Sequence, residues 1–169
     1  MNFDYFIIAM IWIVSIITLL IVVPRLRIRE YMAVFFFFQS LTWIFGIVLT
    51  AFGALSSEVR LFEKATKISF TSEFMFYPTV AVVFHRWYPD QGGKLRVILH
   101  YVLFTGGIIL YMYLLATFTR IMRVDAQQLI RFFFNFVFEF WVCRKYIVWL
   151  TGTTKLQAHH EVGGSEEWK

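Results

Sequence analysis

The run Arg131–Phe132–Phe133–Phe134–Asn135–Phe136–Val137–Phe138–Glu139–Phe140–Trp141–Val142–Cys143, within the longer apolar segment 129–150, decides how this chain is read. It is apolar enough for a bilayer, yet Arg131, Asn135, Glu139 and Cys143 recur every four residues. On a helix that spacing draws one polar stripe, with Phe, Val and Trp covering the remaining surface. Ionisable groups at membrane depth are costly, so they face other helices or water rather than lipid.

Outward from this run lie four more apolar segments, 3–23, 31–52, 68–84 and 95–118, and the five together fill most of the 169 residues. Hydrophobic residues make up 59% of the chain and charged residues only 16%, against about 25% in a soluble domain. Mean hydropathy is +0.66. A soluble core absorbs one or two such runs, not five. The runs are continuous and about twice the ~10-residue alternating segments of a membrane β-barrel. The expectation is an all-α, polytopic membrane protein: one five-helix transmembrane domain over 1–150, then a polar, mobile tail over 151–169.

Punctuation supports these bounds. Pro24 and the cluster Arg25, Arg27, Arg29 close the first run. Met1–Asn2–Phe3–Asp4 carries an acid rather than a basic leader, and the apolar run lasts to Val23, so it reads as a retained first helix. No lipidation motif is visible. In the second run Gln39, Thr42 or Trp43, Gly46, Thr50 and Gly53 share one face, a seam on which helices approach closely. The third run carries Glu73 and, near its middle, Pro78, which removes a backbone hydrogen bond and predicts a kink. Tyr88–Pro89–Asp90–Gln91–Gly92–Gly93 is a turn. No internal repeat divides the chain into equal halves.

The formal charge is +5. Lys and Arg lie mostly between the apolar runs, where they orient helices rather than bind nucleic acid. With the N-terminus outside, Arg25, Arg27, Arg29, Arg86, Lys94, Arg96, Arg144, Lys145, Lys155 and Lys169 lie inside. Arg60, Lys64, Lys67, Arg120, Arg123 and Arg131 then lie outside, so the bias predicts N-out, C-in.

In that orientation Glu73 lies about 7–8 Å into the third span, and Arg131 and Asn135 bracket the same depth on the fifth. A Glu73–Arg131 pair supported by Asn135 is the expected outer-leaflet contact. It would lock two helices together or open a polar site outward. Glu139 lies near mid-bilayer, where it acts as hydrogen-bonding glue or as a coupling site. His100, entering from the inner side on the fourth span, reaches toward it. His159–His160–Glu161 has no metal-spaced companions, and Cys143 has no positioned base. A single cysteine allows no internal disulfide. No catalytic motif is present, so no enzyme activity, cofactor or metal is expected.

The stretch Phe74–Met75–Phe76–Tyr77–Pro78 through Phe84–His85–Arg86–Trp87–Tyr88–Pro89 to Leu99–His100–Tyr101 resembles a family of small multi-pass membrane proteins of spore-forming Gram-positive bacteria. That uncharacterised family is catalogued under a clostridial locus name. Its members carry an aromatic–Pro step inside one helix and a second Tyr–Pro at its end, preceded by a polar segment, as 60–72 is here. The family's fourth helix often carries an acid; Ile108 to Leu115 has none, and Glu139 is its candidate replacement. The resemblance implies a bacterial cell-membrane location and spore-related biology, and supplies no activity.

Two functions fit the residues. One is a non-enzymatic partner or accessory subunit of a bacterial membrane complex, or a homo-oligomer, docking through its aromatic outer surface. The other is a small proton-coupled carrier or oligomeric channel using Glu139 and Glu73. An enzyme acting on lipid would need a nucleophile or metal site that the sequence does not offer.

Overall fold

The computed structural model describes residues 2–51, 71–90, 93–118 and 126–163, and all of its regular structure is helical. Among the described residues five α-helices follow in order: α1 (Asn2–Val22), α2 (Ile28–Ala51), α3 (Tyr77–Arg86), α4 (Lys94–Phe118) and α5 (Ala126–Gly163). A short 3₁₀ turn, Arg25–Arg27, leads into α2, and a π-turn, Ser72–Phe76, leads into α3. Pro24 is extended (φ −71°, ψ 133°) and breaks the chain between α1 and the 3₁₀ turn. Expected and observed bounds agree within a few residues for the first, second and fourth helices. The last helix differs: it runs past Leu150 to Gly163, where a polar tail was expected.

Among the described residues, three segments are long and apolar enough to cross a membrane: Tyr5–Val22, Arg25–Val48 and Lys94–Phe118. The last helix is not among them. Arg131, Asn135 and Glu139 interrupt its apolar surface, and Arg144–Lys145 follow directly.

The third helix is central, packing against α1, α2 and α4, while α5 packs against α2 and α4. Aromatic rings join it to α5: Phe84 stacks on Phe140 at 4.4 Å, and Tyr77 meets Phe136 edge-on at 4.9 Å. Phe38 of α2 reaches the same Phe140 at 4.9 Å. Within a bilayer, lipid would be as apolar as these rings, and close packing rather than escape from water would hold them together. Each such pair adds about 0.5–1.5 kcal/mol beyond simple area burial. The first helix is more peripheral, anchored where the Trp12 indole N–H donates to Thr71 Oγ1 at 3.2 Å.

Pro78 is accommodated by the π-turn. The Tyr77 N–H bonds to Ser72 O, five residues back, instead of Glu73 O. The next candidate donor to Glu73 O would be residue 78, and proline has no N–H. Glu73 O is thereby left without a donor from its own helix. The Thr42 hydroxyl of α2 supplies one at 3.3 Å, shared with Gln39 O at 3.1 Å. Of the predicted seam on α2, Thr42 and Gly46 are buried, whereas Trp43 points outward. Gly53 and the side chain of Thr50 lie outside the described residues.

Candidate functional site

Where α2, the π-turn and α5 meet, a small cavity of about 20 Å³ is lined by Thr42, Glu73, Tyr77, Asn135 and Glu139. That is room for about one water molecule. Glu73 is 6% exposed and Glu139 1%, and Oε2 of each has no hydrogen-bond partner. Asn135 Nδ2 donates to the other oxygen of Glu139 at 2.6 Å, one helical turn away. Orphaned buried polar atoms are uncommon in folded proteins, and two carboxyl groups facing one cavity are more so. With no cation between them they cannot both be charged at acceptable cost. The arrangement is suited to holding one proton between two acids.

Of the predicted site residues, the structure brings Glu73, Asn135 and Glu139 together and leaves out Arg131 and His100. The expected Glu73–Arg131 pair is not formed, because Arg131 is exposed while Glu73 is buried with an unpartnered oxygen. The reason is helical phase. Four residues turn a helix through a full circle plus about 40°, so a stripe at that spacing rotates by about 120° over three steps. It begins on the outer surface at Arg131 and reaches the interior at Glu139 and Cys143. Arg131 also lies about 12 Å along the axis from Glu139. Arg131→Ala is therefore expected to change stability by less than about 0.5 kcal/mol. Denaturant unfolding in detergent checks this; a loss of several times that size would restore Arg131 to the site.

His100 does not reach Glu139 either. Its Nε2–H donates to Phe84 O at 3.0 Å. That carbonyl is free because the Tyr88 N–H turns to His85 O at the end of α3. The His100 ring also packs against those of Phe84, Tyr88 and Phe104. Cys143 is buried. The side chains of His159, His160 and Glu161 lie outside the described residues.

At the end of the bundle where α2 starts and α3 stops lies a polar chain that the sequence reading missed. His85 Nε2–H donates to Glu30 Oε1 at 2.8 Å, and Arg144 Nη1 donates to His85 Nδ1 at 3.2 Å. Arg144 Nη2 bonds Asp90, and the guanidinium lies 4.2 Å from the centre of the Tyr88 ring. Arginine only donates, so His85 Nδ1 must accept, which fixes the neutral Nε2–H tautomer. Alternating helix directions bring the start of α2 and the end of α3 to one face, where Arg144, midway along α5, joins them. That alternation was the available signal.

His85 lies beyond Phe84, where the third span was expected to end. Burial holds its imidazole below the ordinary range, against the opposing effect of the hydrogen bond it donates to Glu30. As pH falls the unfolded chain takes up this proton first. The stabilising contribution is complete above the ordinary histidine pKa of about 6.5 and is lost as pH drops below it. The melting temperature is expected to fall on acidification below that value, and His85→Gln should flatten this part of the profile. An unchanged slope in the variant would remove His85 as the cause.

No family model, curated protein or solved structure matches this chain.

Proposed function

We propose that the protein is a small proton-coupled carrier or, as an oligomer, a channel, in which Glu73 and Glu139 take up and pass on a proton. The observation that carries this reading is the pair of buried carboxyl groups, each with an unpartnered oxygen, facing one water-sized cavity. Buried acids that served only to hold helices together would gain most by having every oxygen bonded. These keep an oxygen each in reserve. In this reading the chain crosses a bacterial cell membrane five times, N-out and C-in, as the charge bias and the family resemblance suggest. It catalyses no covalent chemistry.

The test is reconstitution into liposomes containing a pH-sensitive dye, with a potassium-diffusion potential drawing cations inward. Acidification above that of protein-free liposomes is expected. No flux at any potential or pH gradient would overturn the channel form of the proposal, and flux absent with every co-supplied solute would overturn the carrier form.

A second reading, as an accessory subunit of a membrane complex, is favoured by the outward face of α5. Ile130, Phe134, Phe138 and Trp141 are all exposed along it. Purification in mild detergent would then yield a stoichiometric membrane-protein partner, whereas a lone chain or a homo-oligomer would count against it.

A further inference from the structure

The polar end of the bundle encloses a second, much larger cavity of about 600 Å³, within the ~300–1,000 Å³ range of small-molecule sites. Its wall includes Arg27 at the entry to α2, Arg86 at the end of α3 and Arg144 on α5, together with Glu30, His85 and Asp90. Both carboxylates are already engaged, Glu30 by His85 and Asp90 by Arg144. The contact with Arg144 keeps His85 neutral, so it contributes no charge. Three guanidinium groups against two carboxylates leave a surplus positive charge. It sits on Arg27 and Arg86, which are exposed and have no ion pair among the described residues.

We infer that this cavity binds a phosphate group, held by Arg27 and Arg86. Guanidinium forks match phosphate oxygens two at a time, which lysine cannot do. A cationic ligand is disfavoured by the sign of the surplus. An apolar ligand is disfavoured by the charged side chains around the wall. The phosphate can belong to a small soluble ester or to the headgroup of an anionic phospholipid. Neither source involves Glu73 or Glu139, so the inference stands apart from the proton reading.

The experiment has two arms on the full chain. In a neutral detergent, glycerol 3-phosphate and inorganic phosphate are titrated calorimetrically. In parallel, the protein is taken from nanodiscs of equal phosphatidylglycerol and phosphatidylcholine, and the retained lipid is identified by native mass spectrometry. One-to-one binding of a soluble probe identifies a free ester as the ligand; selective retention of phosphatidylglycerol alone identifies a headgroup. In either case Arg27→Gln with Arg86→Gln is expected to weaken binding about tenfold or more. Both side chains are exposed, and the single variants are measured beside the pair in case the double change disturbs folding. No binding in either arm, or binding that all three variants preserve, would overturn the inference.

Discussion

Glu139→Gln is expected to reduce proton flux in liposomes to the protein-free level while the bundle stays folded. Glutamine has the shape of glutamate and keeps an oxygen for the Asn135 amide, now 2.6 Å from Glu139. Its own amide would face the cavity that Glu73 also lines, where Glu73 Oε2 lacks a partner. Helix contacts are thus kept, and a buried acceptor gains a donor. What is lost is a group that can bind and release a proton. Melting within a few degrees of the parent, with flux gone, separates chemistry from folding. Full flux in the variant would remove Glu139 from the pathway. Glu73→Gln should block flux in the same way, since either acid alone has no second site to hand its proton to.

Arg144→Ala is expected to cost the most stability of any single change at the polar end, about 2–4 kcal/mol. The estimate rests on burial: the Arg144 side chain is 17% exposed, and its loss strips partners from His85, Asp90 and the Tyr88 ring together. Asp90 is 66% exposed, so its share is that of a surface pair, under about 1 kcal/mol. Asp90→Ala should therefore cost much less than Arg144→Ala. Denaturant unfolding of both variants in detergent checks the order. Equal losses would mean that the ion pair, rather than the contacts to His85 and Tyr88, carries the stabilisation.

The helical class was legible because α1, α2 and α4 each announce themselves in a single window of sequence. So was the burial of Glu139, whose neighbours leave it no solvated alternative, and so were Thr42 and Gly46, which are small where α2 must approach its neighbours. Pairings across helices were less legible. Depth arithmetic placed Arg131 beside Glu73 because it counts rise and ignores the rotation that turns Arg131 outward. His100 was given to Glu139 because nothing in the sequence announces that Phe84 O needs a donor. That need arises from the way α3 ends. Glu30, His85 and Arg144 are far apart along the chain, and their meeting depends on antiparallel packing, so charge counting recorded Arg144 and Arg86 and passed over the network.

The π-turn ahead of Pro78 has a mechanical consequence. It holds one residue more than an α-turn would, and shifting that surplus along the chain turns only the residues it passes, each by about 100°. The surplus travels by passing hydrogen bonds from one amide to the next, and at position 78 there is no amide hydrogen to receive one. The irregular turn is thus confined to the stretch that carries Glu73, and the regular helix beyond it presents His85 to Glu30 and Arg144.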